Sequence, residues 1–402
     1  MLIYRILITL FAAVVLTRAA LRQGRAALAA RLGRGGPRDG ARRIWLHAAS
    51  NGELSSVRPV IRALGQARPD LGLVVTCNSD SGVALAREMG LEARLAPVDL
   101  VSTTRAFLKG WGVVAHLALE SELWPNRVLL TPGPVLVLGG RMSAKTAENW
   151  ARLPKLAARL LGRIAFLSAQ DRASRDRFLS LGLPEAAAGP VTELKALYDP
   201  PAEGPPDPAL EAAYPRGRTW LAASTHKGEE EAVIAAHLEA RKSEPGLRLI
   251  LALRHPHRAG EVAALLRAAG LDYALRSRGD APAEVLLVDT LGEMPRWYRL
   301  AGRVFIGGTL TDRGGHTPFE PAWFGAALLH GPDVANFARP FARLLSEAAA
   351  VEVEEAEDLA QALTALADPE DQARAGEAAR SALRPEEDLE RLMARITAVL
   401  PR

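Results

Sequence analysis

Acidic side chains at strand-to-helix turns are the first candidates for chemistry in this chain of 402 residues. The segment His47-Ala-Ala-Ser-Asn-Gly-Glu53 ends an apolar run and precedes a helical pattern. A glutamate at such a turn faces the helix N-terminus, and partial burial raises its pKa toward the range in which a carboxylate removes a proton from a hydroxyl group. Glu53 is therefore a candidate general base. The alternative is a glutamate that only complements the helix dipole.

Two further loops in the first half carry groups that suit a sugar or an anion. Glu120 and Glu122, in Leu119-Glu-Ser-Glu-Leu-Trp-Pro-Asn126, could hold a sugar hydroxyl or fix the loop, or they could cap the next helix while Trp124 packs. Arg141, in a loop after another apolar run, suits a carboxylate or phosphate, with a solvent-facing arginine as the alternative.

The second half contains two cationic blocks after apolar runs. In Ala223-Ser-Thr-His-Lys-Gly-Glu-Glu-Glu231 we expect Ser224 or Thr225 to cap a helix whose N-terminus binds a phosphate, although three glutamates nearby oppose that charge. Arg254 and His255 are expected phosphate neighbours in the next block. Two histidines there could bind a metal, but the chain has neither a D-x-D pair nor H-E-x-x-H, so we predict no metal site.

A glycine-rich segment is the strongest nucleotide-binding signal. Phe305-Ile-Gly-Gly-Thr is followed by Gly314-Gly-His-Thr-Pro-Phe-Glu-Pro321, which predicts a strand, a turn that a ligand can approach closely, and a helix beginning near Pro318. Glu320 in the first helical turn can accept hydrogen bonds from the two hydroxyls of a ribose. The cluster indicates a nucleotide site.

The elements that must position these residues alternate between short apolar runs and amphipathic stretches. Runs such as LGLVVTC and LRLILALR predict strands buried on both faces, hence parallel, doubly wound sheets, and ligands bind such sheets beyond the C-terminal ends of the strands. Six prolines between Pro200 and Pro215 interrupt the alternation. The predicted fold class is α/β with the GT-B architecture, in which two Rossmann-like domains face each other across a cleft. The predicted segments are an anchor at 1–34, a first domain at 35–199, a linker at 200–216 and a second domain at 217–402, whose tail from Glu352 is helical.

The N-terminus predicts a membrane anchor. Residues 1–16 are apolar except for Arg5, and many arginines but no acid follow before Asp39. Charge after the apolar run, rather than before it, disfavours a secretory signal peptide and favours a segment whose C-terminal side stays in the cytoplasm. The alternative is a buried helix with a solvated basic flank. Whether the anchor spans the bilayer or lies in the interface is open.

Bulk composition excludes several classes. The chain is 49% hydrophobic and 24% charged, which is typical of a globular protein. The net charge of +4 is small, and its arginines cluster beside the apolar segment, so no nucleic-acid partner is predicted. Cys77 is the single cysteine, which excludes an internal disulfide, and we expect it to be buried and inert.

Seven blocks occur in an order that resembles the bacterial Kdo (3-deoxy-D-manno-octulosonic acid) transferases: HAASNGE, ESELWPN, GGRMS, ASTHKGEEE, RHPHR, DTLGEMPRWY and GGHTPFEP. The resemblance implies a GT-B glycosyltransferase of lipopolysaccharide inner-core biosynthesis that inverts the anomeric carbon without a metal or other cofactor. It implies CMP-Kdo as donor, a lipid A precursor (lipid IVA) as acceptor, and a location at the cytoplasmic side of the inner membrane.

The resemblance also implies a role for each matched residue. Glu53 resembles the general base. Residues implied on the acceptor or sugar side are Ser50, Gly52, Glu120, Glu122 and Arg141. Residues implied on the nucleotide side are Ser224, Thr225, Arg254, His255, Gly292, Glu293, Gly315, His316, Glu320 and Asn336.

Three departures keep other interpretations open. Thr317 stands where the family usually has asparagine, Thr192-Glu-Leu-Lys195 stands for G-N-L-K, and the start of the GGRMS block differs. The alternatives are a GT-B transferase that uses another nucleotide sugar, such as a UDP-sugar, and a catalytically inactive membrane-bound paralogue. The number of Kdo residues, the acyl preference and the oligomeric state do not follow from the sequence.

Overall fold

The computed structural model describes residues 2–200, 207–385 and 387–402. The chain forms two compact units. The first comprises Met1–Asp199 together with Pro385–Arg402, and the second comprises Pro200–Arg384.

The first unit is built on a parallel sheet of seven strands in the order β3-β2-β1-β4-β5-β6-β7. The apolar runs form its centre because helices cover both faces, and most of their side chains are fully buried. The sequence did not identify β3 and β7, which are short and lie at the edges. The strands are β1 Arg43–Ala48, β2 Gly72–Cys77, β3 Glu92–Leu95, β4 Val113–Leu119, β5 Val135–Gly140, β6 Ile164–Ala169 and β7 Ala188–Val191.

The helices of the first unit connect these strands or precede them. The helices are α1 Leu2–Arg18, α2 Gly24–Arg31, α3 Asn51–Ser56, α4 Arg58–Ala67, α5 Asp80–Glu88, α6 Val101–Trp111, α7 Pro125–Leu130, α8 Ala144–Ala151, α9 Pro154–Leu161 and α10 Arg172–Ser180. A π-helical turn, Ala19–Gln23, joins α1 to α2. By length and composition, the stretch Tyr4–Arg31 could cross a membrane.

The second unit repeats the design with seven parallel strands in the order β10-β11-β9-β8-β12-β13-β14. Its strands are β8 Thr219–Thr225, β9 Arg248–Leu253, β10 Tyr273–Leu275, β11 Val285–Val288, β12 Arg303–Ile306, β13 Ala327–His330 and β14 Val351–Glu352. Its helices are α11 Pro208–Ala213, α12 Glu230–Ala240, α13 Ala259–Ala268, α14 Met294–Leu300, α15 Phe319–Trp323, α16 Ala338–Ser346, α17 Ala356–Ala365 and α18 Pro369–Ala382. The predicted pair of Rossmann-like parallel sheets is confirmed.

The predicted linker at 200–216 contains residues 201–206, which lie outside the described residues. Its remainder is not all extended, because Pro208–Ala213 forms the short helix α11. Proline suits the first position of a helix, and the Asp207 side chain accepts hydrogen bonds from the N–H groups of Ala209 and Leu210.

The C-terminal tail departs from the predicted division of the chain. Its last helix, α19 (Leu389–Val399), packs on the first unit rather than the second. Leu392 and Ile396 are fully buried there in the cluster that also contains the apolar residues of β1 and α4. An amphipathic pattern predicts a buried helical face but does not identify the surface that covers it.

In both sheets the strand order reverses direction beside the strand that comes first in the chain. The reversal lies between β1 and β4 in the first unit and between β8 and β12 in the second. Loops that follow the two strands at such a point diverge and leave a crevice at the carboxyl edge of the sheet. Glu53, Glu120 and His316 follow three of these four strands, β1, β4 and β12. Other candidates, such as Arg141 and Arg254, follow the neighbouring strands β5 and β9.

Candidate active site

Glu53 lies in the first turn of α3, directly after β1. The helix is capped by the Ser50 hydroxyl, which accepts a hydrogen bond from the Glu53 N–H at 3.2 Å. The Glu53 carboxyl accepts hydrogen bonds from the Ala49 N–H at 2.8 Å and from the Ser50 hydroxyl at 3.2 Å. These contacts fix the carboxyl beside the helix N-terminus while leaving it half-buried. Gly52, the neighbouring predicted residue, is exposed in the same turn.

The pKa of Glu53 is raised to about 7. Burial is the main cause, and the nearby carboxyls of Glu120 and Glu122 add to it, while the Ala49 N–H opposes it. A carboxyl with this pKa exists in both protonation states near neutral pH. It can therefore accept a proton from a hydroxyl group, as the sequence analysis required.

Glu122 is held ionised by a network behind Glu53. Burial would raise its pKa, but hydrogen bonds with His47 at 3.0 Å and from the Trp124 indole at 2.6 Å lower that pKa to about 2. Burial lowers the pKa of His47 to about 4, so the imidazole is neutral at pH 7 and donates through Nε2. Its Nδ1 lies 2.9 Å from both the hydroxyl and the carbonyl oxygen of Thr76, and with Nε2 protonated only the hydroxyl can donate to it. The contact between His47 and Glu122 is thus a hydrogen bond rather than an ion pair.

Glu120 turns in the same loop with a left-handed backbone, φ 49°. Its carbonyl oxygen accepts from the Arg141 N–H at 3.3 Å, so the two predicted loops are joined. Burial raises the pKa of Glu120, and the charge of Lys195 opposes this rise more than any other charge. Neither Glu120 nor Glu122 caps the next helix, whose cap position is Trp124. The alternative that the two glutamates cap this helix is wrong, whereas its other part, the packing of Trp124, is confirmed by the stacked ring of Phe11.

The block Thr192-Glu-Leu-Lys195, which the sequence analysis treated only as a departure from a family pattern, belongs to this charged cluster. Glu193 and Lys195 both act on the pKa of Glu120, with opposite signs. Glu193 is itself fixed by a hydrogen bond from Gln170 at 2.6 Å. The available signal was the position of this block directly after the edge strand β7. It was missed because the sequence pattern does not predict β7.

In the second unit a buried glutamate organises the loops after β8 and β12. Glu229 is fully buried, and its carboxylate accepts four backbone hydrogen bonds, from His226 at 2.8 Å, Gly308 at 2.7 Å, and Thr309 and Leu310 at 3.0 Å each. Four N–H donors satisfy a charge that burial would otherwise penalise. Glu229 thus joins the two loops at the reversal of the sheet.

The predicted capping of this helix by Ser224 or Thr225 is wrong. Both residues belong to β8, and α12 begins only after its cap residue, Glu229. Ser224 has a left-handed backbone, φ 59°, because the strand bends there against Gly307. A Cβ on Gly307 would lie 2.6 Å from the Ser224 carbonyl oxygen, so only glycine fits.

The sequence predicts that the three glutamates of this block repel a bound phosphate. The structure shows that most of this negative charge is already compensated by other groups. Glu229 bonds to backbone N–H groups, and the fully buried Glu230 forms a bidentate pair with Arg258 at 2.7 and 3.2 Å. Glu231 is exposed. Two of the three charges that oppose a phosphate are thereby compensated.

Histidine and arginine side chains converge around a cavity in this unit. The imidazoles of His226 and His316 share a hydrogen bond between their Nε2 atoms at 3.0 Å, and the ring of His255 lies 5.4 Å from that of His226. Burial and the neighbouring cations lower the pKa of both His226 and His316 to about 4. The cavity has a volume of about 460 Å³ and is lined by His226, Lys227, His255, His257, Arg258, Glu261 and Arg313.

The predicted cations Arg254 and His255 follow β9 at this edge. The Arg254 N–H donates to the Thr225 carbonyl oxygen at 3.1 Å, and the charge of Arg254 contributes to the lowered pKa of His226 and His316. His226 and Lys227 were not among the predicted site residues, although both belong to the block 223–231. Their position as cationic groups directly after β8 was the signal that could have identified them.

Glycines 314 and 315 fold the next loop back onto β12. Both have positive φ, 76° and 73°, and the Gly315 N–H donates to the Gly308 carbonyl oxygen at 2.7 Å. The Asn336 side chain donates to the carbonyl oxygens of Arg313 at 2.8 Å and Gly315 at 3.3 Å. The structure thus brings Gly315, His316 and Asn336 together. Pro318 is the cap of α15, as predicted.

Glu320 and Glu293, both predicted on the nucleotide side, have different environments. Within residues 207–385, no hydrogen bond or ion pair reaches the Glu320 carboxyl, and burial raises its pKa to about 7. Glu293 instead bonds to Arg276 at 2.7 Å and to the Thr290 hydroxyl. Burial acts to raise the pKa of Glu293, but these contacts lower it. Its turn at Gly292 is left-handed, φ 85°. The carboxyl oxygens of Glu320 thus have no partner among residues 207–385, whereas those of Glu293 are engaged by Arg276 and Thr290.

Two other predictions concern metals and the thiol. Across residues 2–200, 207–385 and 387–402, no group of three His, Cys, Asp or Glu side chains converges as metal ligands. Cys77 is fully buried and burial raises its pKa to about 11, which confirms the inert thiol.

Comparison with known proteins agrees with the sequence resemblance. Residues 26–197 match the family model of the 3-deoxy-D-manno-octulosonic-acid transferases (kdotransferases). The 3-deoxy-D-manno-octulosonic acid transferase of Haemophilus influenzae is 30% identical over 337 residues, which are 80% of this chain and 78% of that protein. The enzyme of the same name from Bordetella pertussis is 32% identical over 383 residues, 88% of this chain and 86% of that protein.

Solved structures extend the comparison to the fold alone. The UDP-GlcNAc 2-epimerase of Neisseria meningitidis aligns with 89% of this chain and 99% of its own, with a TM-score of 0.59 and 14% identity. Together with the two seven-stranded parallel sheets, this likeness supports the predicted GT-B fold class.

Proposed function

Because the chain belongs to the 3-deoxy-D-manno-octulosonic acid (Kdo) transferase family, we propose that it transfers Kdo from CMP-Kdo to the hydroxyl group of a lipid A precursor. It is a glycosyltransferase of that family. The observation that carries the proposed mechanism is Glu53, a half-buried carboxyl with a pKa of about 7 at the sheet reversal of the first unit.

The first unit supplies the base. Glu53 accepts the proton of the acceptor hydroxyl as that oxygen forms a bond to the anomeric carbon of Kdo. The oxygen attacks from the face opposite CMP, so configuration inverts. Glu120, Arg141 and Lys195 offer charged groups of both signs for the acceptor or the sugar, which is itself a carboxylic acid.

The second unit supplies the donor contacts. As the bond between the anomeric carbon and the phosphate oxygen breaks, CMP leaves with one more negative charge. Lys227, Arg254 and Arg313 are cationic groups at the histidine cluster that can balance it without a metal ion. Glu320, whose acceptors are free of other partners among the described residues, suits the ribose hydroxyls of the nucleotide.

The acceptor is a lipid, so the reaction takes place at a membrane. The apolar stretch Tyr4–Arg31 fits membrane association. We place the two units on the cytoplasmic side of the inner membrane, since CMP-sugars are cytoplasmic and the anionic lipids of that leaflet attract the arginines that follow the apolar residues.

The decisive experiment mixes purified full-length protein, freshly made CMP-Kdo and a tetra-acylated acceptor, and weighs the lipid by mass spectrometry. We expect the acceptor to gain the mass of one or more Kdo residues. Calorimetric titration with CMP and UDP accompanies it. A clear preference for UDP indicates the alternative donor, and nucleotide binding without any lipid product indicates an inactive paralogue.

A further inference from the structure

The N-terminal helical stretch, from α1 through α2, is hydrogen-bonded to the rest of the first unit near both of its ends. Near its start, the Tyr4 hydroxyl donates to the Asp99 carboxylate at 2.5 Å. Asp99 is 1% exposed and also accepts from the N–H groups of Asn126 and Arg127 at 2.9 Å each. At the far end, the guanidinium of Arg31 donates to the carbonyl oxygens of Ala96 and Asn78 at 3.0 and 2.7 Å. The domain therefore holds both termini of the helical stretch.

The helix also packs along its length. Ile8, Ala12 and Ala19 form one stripe and are 5%, 1% and 0% exposed. The ring of Phe11 stacks on that of Trp124 with centroids 6.2 Å apart. Phe11 is 51% exposed at the edge of this contact. The opposite face is open and apolar, and its exposed side chains are Ile6, Leu7, Leu10, Val14 and Leu21.

This geometry is incompatible with a bilayer crossing. The hydrocarbon core is about 30 Å thick, and a helix needs about 20 residues to cross it, the length of residues 4–23, so a crossing puts Tyr4 on the far side. Asp99, in the folded domain, then lies on the near side. The bond between Tyr4 and Asp99 requires both residues to stay on one side.

We propose that α1 lies flat in the membrane interface, docked on the first unit, with its open apolar face in the lipid and its arginines against anionic head groups. The choice of an anionic lipid surface rests on charge. Arg18, Arg22 and Arg25 are exposed beside the apolar face, and no acid occurs before Asp39. The inference builds on the proposed function, whose acceptor is a lipid.

Docking connects the membrane to the base through one loop. Phe11 of the helix contacts Trp124, whose indole donates to Glu122. The charge of Glu122 in turn acts on the pKa of Glu53. The docked helix thus contacts the loop whose Glu122 carboxylate acts on the proposed base.

Crosslinking in native membranes tests the docked position. The pair Phe11→Cys and Trp124→Cys is treated with a short bismaleimide, and the joined peptides are identified by mass spectrometry. Leu10→Cys with Trp124→Cys is the matched control, because Leu10 is 63% exposed on the open face. Cys77 is buried and does not interfere. A photoreactive benzoylphenylalanine in place of Phe11 repeats the test with an aromatic side chain kept.

We expect the Phe11 pair to crosslink in membranes at least about tenfold more than the control pair. A crosslink that forms in detergent but not in membranes, or in neither, overturns the proposal, because the helix has then left the domain. This readout needs no catalysis. A protein that crosslinks as expected but makes no lipid product contradicts the proposed function and leaves the docked helix in place.

A second measurement tests the lipid partner. Full-length protein should bind phosphatidylglycerol vesicles at least about tenfold more tightly than phosphatidylcholine vesicles, since the arginines at the surface are attracted to the anionic head groups. Replacing Arg18, Arg22 and Arg25 with serine should remove most of that preference. Equal binding of the unaltered protein to both kinds of vesicle contradicts the proposal that its partner is an anionic lipid surface.

Discussion

The charge of Glu122 raises the pKa of the neighbouring Glu53 carboxyl, while the pKa of Glu122 itself is far lower. Burial and neighbouring negative charge raise the pKa of Glu53 to about 7. Glu122 is held at about 2 by hydrogen bonds from His47 and Trp124, which outweigh its burial. A pair of carboxyls whose pKa values are driven apart separates two roles, a proton acceptor and a permanent charge.

Glu53→Gln should abolish transfer without unfolding the protein. The amide keeps the size and the acceptor oxygen but cannot take a proton, so kcat should fall at least ~10²-fold while CMP affinity is unchanged. Glu88→Gln, an exposed glutamate on α5, is the matched control and should keep full activity. Comparable kcat values for the two variants contradict the role of Glu53.

Activity should rise with pH through about 7, because the base must be ionised and its pKa lies there. Glu122→Gln removes a negative charge near Glu53, which should move this acid limb to lower pH by several tenths of a unit. A series of kcat/KM values from pH 5 to pH 9 checks the shift. If the limb stays in place, or moves upward, Glu53 is not the titrating group.

Glu320 should discriminate a ribose from a deoxyribose. Unaltered protein is expected to bind CMP at least about fivefold more tightly than deoxy-CMP, and Glu320→Gln should bring the two affinities together. Since the Glu320 pKa is about 7 and the ionised carboxylate is the stronger acceptor, the preference should grow as the pH rises through 7. Calorimetric titration of both nucleotides at pH 6 and pH 8 measures it.

Lys227, which lines the cavity beside the histidines, should contribute to the binding of the donor phosphate. Lys227→Met is expected to weaken CMP binding about fivefold, and the loss should shrink at high salt because the side chain is exposed. Lys242→Met is the control, since Lys242 is also exposed but lies beyond the C-terminal end of α12, where it pairs with Glu239. Equal affinities for the two variants exclude Lys227 from the site.

Glu229 should matter for stability more than any surface glutamate of its helix. Glu229→Ala leaves four backbone N–H groups without their acceptor, each at a cost of about 1–3 kcal/mol when buried. We expect the free energy of unfolding of the second unit to fall by at least ~3 kcal/mol in urea titrations. Glu231→Ala, at an exposed position two residues later, should change it by less than about 0.5 kcal/mol.

The sequence predicted the centre of each sheet well, because strands such as β4 and β9 are buried on both faces and read as unbroken apolar runs. Edge strands escaped, since β3 reads Glu-Ala-Arg-Leu and carries no such run. Glu53 could be singled out because its position after a strand and before a helix is a local feature, whereas its assignment as the general base came from the family resemblance.

Long-range partners could not be predicted. The four donors to Glu229 come partly from a loop some 80 residues later, and nothing in Glu229-Glu-Glu231 separates the buried glutamate from the exposed one. The docked stripe Ile8, Ala12 and Ala19 is concealed in a segment that is apolar all round. In both cases the sequence gives the residue type, while tertiary packing selects the partner.

The return of α19 to the first unit makes that unit discontinuous in the chain, whereas the second unit is a single uninterrupted stretch. A fragment that ends near residue 199 lacks the wall formed by Leu392 and Ile396, so we expect the first unit to be unstable when the chain is truncated there. The second unit resembles an insertion within the first and is the better candidate for separate expression. Deletion of the last residues of the chain should therefore destabilise the unit that contains Glu53.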